Sequence, residues 1–273
     1  MITSTANQKV KRLAVLQKKR RARDEEGIFL TEGVRMFREI PPGRIREICV
    51  TEEFLSRERD LVERKAGEAG VRPEVFSDHV FAYVSDTKTP QGVLCVADRG
   101  REAGPEEMFK AGPDGRAPLL MVLDGLQDPG NLGTILRTGE GAGVTGVILS
   151  RDCVDLYNPK TIRSTMGSIF RMPCLYADDL TEVLAQMKEK GIRTYAAHLE
   201  GKTDYDREDY TGGCAFLIGN EGNGLRREVA DMADTYIRIP MEGEVESLNA
   251  AIAATVLMFE AGRQRRLHHR KTV

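Results

Sequence analysis

Three short runs of the chain, LLMVL at 119–123, GVILS at 146–150 and AFLI at 215–218, are apolar almost without interruption. A strand with one wet face alternates apolar and polar side chains, so runs like these read as strands covered on both faces. Such strands occur in parallel sheets with helices packed above and below. The sequence between the runs supplies those helices. After the first run Leu132, Ile135, Leu136 and Gly139 share one helical face, with Asn131 expected as the N-cap. Near the end of the chain Leu248, Ile252, Val256 and Phe259 recur at helical spacing. Further strands are expected at 172–175, at 193–197 and in YIRIP at 236–240. The C-terminal part should therefore be an α/β domain built on a parallel sheet.

The first hundred residues alternate on a smaller scale. A basic helix is expected near 7–20, strands at 28–30 and 45–50, a helix from Glu32 and another over 52–69. Strands near Val71 and at 92–97 complete that part. Between the two parts lies DRGREAGPEEMFKAGPDGRAP, rich in Gly, Pro and charge. The expected division is a small α/β domain at 1–98, a linker at 99–117 and a larger domain at 118–273.

Hydrophobic residues make up 41% of the 273 and charged residues 30%, which suits a globular protein with a core and excludes a disordered chain. No apolar stretch nears the ~18–20 residues of a membrane span, and MITSTANQKVKRL has no signal-peptide core, so the expected location is the cytoplasm. Cys49, Cys95, Cys153, Cys174 and Cys214 are scattered without a C-x-x-C pair, so no metal site is expected.

Net charge is −2, but its distribution is uneven. Twelve Lys/Arg face six Asp/Glu in residues 1–50, giving +6 there and −8 over residues 51–273. Lys9, Lys11, Arg12, Lys18, Lys19, Arg20, Arg21 and Arg23 precede the first acidic side chain, and Arg263, Arg265, Arg266, Arg270 and Lys271 form a second cluster. A basic stripe of this kind fits a polyanion such as a nucleic acid, and equally fits a solvated helix face.

Two glycine-rich stretches need separate readings. GAGVTG (Gly141, Gly143, Gly146) fits G-x-G-x-x-G but leaves a helix and enters a strand, the reverse of a dinucleotide site, so its glycines are expected to cap and pack. AFLIGNEGNGL leaves a strand and holds Glu221 at its centre with no following lysine, which suits a neutral or cationic ligand better than a phosphate.

Taken together, NLGTILRTGEGAG from 131, LIGNEGNGL from 217 and IPMEGEVESLNAAIAATVLMFE from 239 resemble the three motifs of the SpoU/TrmH-type RNA ribose 2′-O-methyltransferases of the SPOUT superfamily. The basic opening ITSTANQKVKRL and TPQG at 89–92 resemble the L30e-like substrate-binding domain of ribosomal-RNA members. The resemblance implies a parallel-sheet catalytic domain with a deep trefoil knot, S-adenosyl-L-methionine as cofactor, no metal, and a homodimer formed through the catalytic domain. The implied activity is 2′-O-ribose methylation of structured RNA, ribosomal first. Transfer RNA, or a non-catalytic RNA-binding role, are the alternatives.

It also implies site residues. Arg137 would hold the reacting ribose and polarise its hydroxyl, Glu221 would take the proton or hold Arg137, and Asn131 would support the site. Ser247 and Asn249 would cap the last helix or touch substrate. Leu217, Ile218, Gly219, Ile239, Met241 and Leu248 would line the cofactor pocket, with glycine at 219 so that an adenosine can approach the main chain. Lys9, Lys11, Arg12, Lys18, Lys19, Arg20 and Arg21 would meet RNA. Asn158, Lys160, Arg163 and Ser164 resemble the family's segment between motifs, although STMGS departs from its usual run of small residues.

Overall fold

The structure, a computed structural model, describes every residue except 101, 102, 113, 114 and 273, and gives side chains as far as residue 269. It forms two units, Met1–Arg101 with Asp155–Phe170, and Glu102–Val154 with Arg171–Val273.

In the first unit α1 (Gln8–Lys18) and α2 (Arg20–Glu26) lead into β1 (Ile28–Glu32), α3 (Val34–Glu39) and β2 (Ile45–Thr51). Then come α4 (Glu52–Arg57), α5 (Arg59–Ala69), β3 (Glu74–Phe76), α6 (Asp78–Val84) and β4 (Val93–Asp98). The sheet runs β1-β4-β2-β3, with β4 antiparallel to both neighbours and β2 parallel to β3. Val10, Leu13 and Leu16 of α1 and Val80, Phe81 and Val84 of α6 pack against Leu30, Leu94 and Val96. Two long helices expected from sequence are each broken, the first at Lys19 in extended backbone and the second at Glu58 (φ −116°, ψ 33°). Helix α6 went unanticipated.

The second unit begins with α7 (Pro105–Met108), β5 (Leu119–Leu123), α8 (Pro129–Ala142) and β6 (Gly146–Ser150). The chain then passes through α9 (Pro159–Thr165), which belongs to the first unit. It continues with β7 (Cys174–Ala177), α10 (Leu180–Glu189), β8 (Arg193–Ala197), β9 (Thr203–Asp204), β10 (Cys214–Ile218), α11 (Arg227–Ala230), β11 (Thr235–Arg238) and α12 (Ala250–Thr272). The sheet order is β7-β6-β5-β10-β8-β11-β9 and each pairing is parallel. The uniform apolar runs are its central strands, buried throughout. One face packs on Leu180, Val183, Leu184 and Met187 of α10 together with Met108 and Phe109, so the described part of the expected linker contributes to this core. Gly143 ends α8 in the left-handed region (φ 88°), the capping role expected for GAGVTG.

The observed unit takes in the described part of the expected linker and differs from the contiguous span 118–273 also by leaving out one internal segment, Asp155–Phe170. Its anchor is a buried ion pair, Arg23 Nη2 to Asp155 Oδ2 at 2.5 Å, with Arg23 also donating to the Leu16 carbonyl at 2.7 Å. Tyr157 and Phe170 lie against Phe29 with ring centroids 5.0 and 6.1 Å apart. Removing one partner of so buried a pair would strand a charge at a cost of about 3–5 kcal/mol. Arg265, one of the second basic cluster expected to meet either a polyanion or solvent, is buried as well. It donates to the carbonyls of Tyr210, Ala117, Pro118 and Gly212 and staples α12 to the start of the sheet, while the side chains of Arg270 and Lys271 lie outside the described residues.

Candidate active site

Strands β5 and β10 are neighbours, so the loops leaving their carboxyl ends, 124–128 and 219–226, come together at the edge where α/β sheets bind ligands. Helix α8 starts from the first loop. Its N-cap is Asp128, whose side chain accepts from Asn131 N at 2.8 Å, so Asn131 sits in the first turn and the expected capping role moves three residues upstream. Pro129 at the first helical position explains the shift, because it fixes the backbone for the helix and needs no N–H partner.

That shift frees the Asn131 amide. Its Nδ2 donates to Glu221 Oε1 at 2.9 Å, and its Oδ1 accepts from Asn249 Nδ2 at 3.0 Å. Glu221 also accepts from the main-chain N–H of Asp128 (3.0 Å) and Gln127 (3.1 Å). Asn249 in turn caps α12, its Oδ1 accepting from Ala251 N at 2.9 Å. Three stretches far apart in sequence thus meet through one carboxamide. Burial pushes the Glu221 carboxyl up, but hydrogen bonds from Asn131, Asp128 and Gln127 outweigh it and leave the pKa below the usual carboxylate range. A carboxylate so engaged is a weak base. Arg137 lies on the exposed side of α8 and, among the described residues, has neither an ion pair nor a hydrogen bond, so Glu221 does not hold it. Ser247 is exposed, and among the described residues the side chain that caps α12 is that of Asn249 instead.

Two residues not anticipated from sequence brace the same loops. Asp124, 1% exposed at the end of β5, accepts from Arg226 N and Nε, each at 2.8 Å, and so ties the far end of the 219–226 loop to the sheet. Its signal was present as the one acid ending the apolar run LLMVLD. Asn220 closes the loop on itself, exchanging main-chain hydrogen bonds of 2.9 Å with Gly224.

Of the proposed cofactor residues, Leu217 and Ile218 are buried in β10, whereas Ile239, Met241 and Leu248 are half-buried on the segment between β11 and α12. From Met241 to Leu248 the chain forms no backbone–backbone hydrogen bond among the described residues, leaving main-chain donors and acceptors for a ligand. Apolar side chains, free main-chain groups and a nearby carboxylate fit an adenosine bearing a sulfonium. Gly219 has a purpose within the protein itself. A Cβ there would lie 2.1 Å from Gly224 C and Leu225 N, so the glycine makes room for the protein's own loop. No group of three or more His, Cys, Asp or Glu is placed to hold a metal among the described residues.

The basic N-terminal residues are divided by their partners. Lys9 pairs with Glu47 at 3.1 Å and with Glu74, and Arg12 pairs with Glu26 and, at 2.6 Å, with Glu47. Burial raises the Glu47 pKa, yet Arg12 and Lys9 hold it below the usual range. Arg20 and Arg21 face Asp24 (3.5 Å) and Glu25 (2.8 Å) one turn on. Lys11, Lys18 and Lys19 are exposed without an acidic partner among the described residues. In the inter-motif segment Asn158 caps α9 and Arg163 pairs with Asp86 at 2.6 Å.

The SpoU rRNA methylase family model matches residues 118–259, and the model of an MRM3-like substrate-binding domain matches residues 7–95. The chain belongs to the SpoU rRNA methylase family. A relative in Bacillus subtilis strain 168, the 23S rRNA (guanosine(2553)-2′-O)-methyltransferase RlmP, is 33% identical over 260 residues, covering 94% of this chain and 97% of that protein. The AdoMet-bound rRNA methyltransferase of Sinorhizobium meliloti is similar in structure with a TM-score of 0.83 and 30% identity, over 96% of this chain and 97% of the other. The SpoU methyltransferase AviRb of Streptomyces viridochromogenes, in complex with AdoMet, gives 0.81 and 27% over 95% and 98%. The family, the α/β class with a parallel catalytic sheet and a separate N-terminal α/β unit, and S-adenosylmethionine as the cofactor therefore agree with the sequence reading.

Proposed function

We propose that this SpoU-family member methylates a ribose 2′-hydroxyl in ribosomal RNA, with residues 118–273 carrying the chemistry, residues 1–98 holding the RNA and 99–117 joining them. The hydrogen-bonded chain Glu221–Asn131–Asn249 carries the reading, because it draws the family's three motifs to one loop cluster. When bound, S-adenosylmethionine supplies an electrophilic methyl group on a sulfonium. The protein's task is to place a sugar oxygen in line with it and ease off its proton. Arg137, with its donors free, is the residue to grip the ribose and adjacent phosphate and polarise the hydroxyl; a guanidinium with a pKa above ~12 is no general base. Glu221 and Asn131 act as positioning residues that fix the start of α8, and Ser247 is open to substrate.

Ile252 and Phe259, exposed and seven residues apart on α12, support a homodimer formed through the catalytic unit. No helix among the described residues is long and apolar enough to cross a membrane, which fits action on ribosomal RNA in the cytoplasm. The test is transfer of labelled methyl to purified ribosomal and transfer RNA, followed by mass mapping of the modified nucleotide. Labelled 2′-O-methylribose in ribosomal RNA is expected. Label in transfer RNA alone would reassign the substrate, and cofactor binding without transfer to either RNA would favour a non-catalytic binding role.

A further inference from the structure

We propose that a cleft in the N-terminal unit binds one unpaired nucleobase of the RNA, guanine in preference to the others; this rests on the RNA reading above. The cleft, about 520 Å³, lies between the start of α4, the exposed side of α6 and the loop before β4. That volume falls within the ~300–1,000 Å³ of small-ligand sites. Phe54 and Phe81, each 1% exposed, make its floor, and Ala82 stands at its edge.

Its walls are held before any ligand arrives. Gly92, in the left-handed region at φ +83°, is pressed so closely on the end of β2 and on α4 that a Cβ would meet Thr51 Oγ1 at 2.5 Å and Phe54 Cβ at 2.9 Å. Gln91 Oε1 accepts from Val34 N at 2.9 Å, which orients the amide and leaves Nε2 as a donor. The buried Glu32 carboxylate holds the other end of that loop, accepting from the Ser85 hydroxyl (2.6 Å), the Thr87 hydroxyl (2.8 Å) and Asp86 N (3.1 Å). A preformed wall spares the ordering cost on binding.

The polar groups select the ligand. Arg57 lies with Cζ 5.5 Å from the Phe54 ring centroid and pairs with Glu53 at 3.1 Å, while Asp78 has no ion-pair partner among the described residues. Carboxylates at the rim repel a phosphate. An apolar floor with donors and acceptors around it suits the flat ring and polar edge of a splayed-out base, the part of RNA that carries sequence. Guanine presents N1–H and N2–H side by side, two donors for the two oxygens of Asp78, and its O6 can accept from Gln91 Nε2. Uracil sets one N–H between two carbonyls, which a carboxylate repels.

Two variants of the full chain test this, Ala82→Trp to fill the cleft from an exposed position and Asp78→Asn to remove the paired acceptor. With an in-vitro 23S rRNA transcript each should raise KM for RNA about tenfold, the loss of roughly one charge-assisted hydrogen bond, and leave the Kd for S-adenosylmethionine unchanged. A transcript containing 6-thioguanosine should photo-crosslink to the peptide between Asp78 and Gly92, and Ala82→Trp should lose that crosslink. If Ala82→Trp does not fold, Asp78→Asn decides. A parent protein that methylates the transcript, with folded variants matching its KM and no crosslink in that peptide, overturns this inference alone. A parent that neither binds nor methylates RNA overturns the reading beneath it as well.

Discussion

The loop cluster around Asn131 and the basic helices α1 and α2 are both polar regions that the sequence marks out, yet they are built in opposite ways. In the cluster, hydrogen bonds of 2.8–3.1 Å join main chain and carboxamides from three distant stretches, and Arg137, on the helix that starts there, has no ion pair or hydrogen bond among the described residues. In the helices the cations come first in sequence, and much of their charge is taken up by carboxylates from β2, β3 and the next turn. A motif made of different residue types at fixed spacing specifies its own neighbours. A run of like charges does not, because the partner of each is set by tertiary contact.

The contrast is broken most severely at Gly219. Substitution by Ala drives a Cβ into the backbone of Gly224 and Leu225, which cannot rotate away. The expected loss is at or beyond the upper end of the ~1–3 kcal/mol typical of overpacking, with cofactor binding lost together with the loop. Thermal denaturation and a cofactor titration on one sample check it; full stability with cofactor affinity alone weakened would return Gly219 to a pure ligand-contact role. Next in size is Arg137→Ala, expected to lower turnover about 10²–10³-fold, as does loss of a preorganised donor at a developing charge. Its affinity for S-adenosylmethionine should stay within error. An equal loss of cofactor affinity would place the guanidinium in the cofactor pocket.

Legibility in the sequence follows the same division. The parallel sheet was readable because its central strands are apolar on both faces, and α8 because Leu132, Ile135, Leu136 and Gly139 repeat at helical spacing and are buried as expected. Helix α6 was hidden: its seven residues are too few to establish a period, and Val80, Phe81 and Val84 read equally as strand. The role of Asp124 was hidden because Arg226 lies 102 positions away. The segment Asp155–Phe170 shows the same limit, since nothing in its composition announces that Arg23 will neutralise Asp155 from the other end of the chain.

Glu221→Gln tests the cluster without emptying it. The amide keeps one acceptor but turns a donor toward a main-chain N–H, at a cost near ~1.5 kcal/mol or about tenfold in turnover. The carboxyl is depressed in the folded protein, so its contribution is complete above the unfolded value of ~4.3 and fades only as pH falls through the lower folded value. The rate should therefore show no ionisation of Glu221 between pH 5 and 8. An acid limb near pH 6 in the parent that vanishes in Glu221→Gln would make this residue the proton acceptor after all.

The smallest expected effect sharpens the comparison from the other side. Lys11, Lys18 and Lys19 are exposed and, among the described residues, without acidic partners, whereas Lys9 and Arg12 already have theirs. Each lysine that neutralises an RNA phosphate releases counterions, so it adds up to ~0.9 to the slope of log affinity against log salt. Changing all three to Gln should flatten that slope by about 1–3 while leaving denaturant stability nearly unchanged. Changing Lys9 and Arg12 to Gln should do the reverse, because it strands Glu47, the half-buried acid both of them hold below its usual pKa. If the two sets shift the salt slope equally, internal pairing does not decide which cations reach the RNA, and the distinction between the basic helices and the loop cluster fails at its own test.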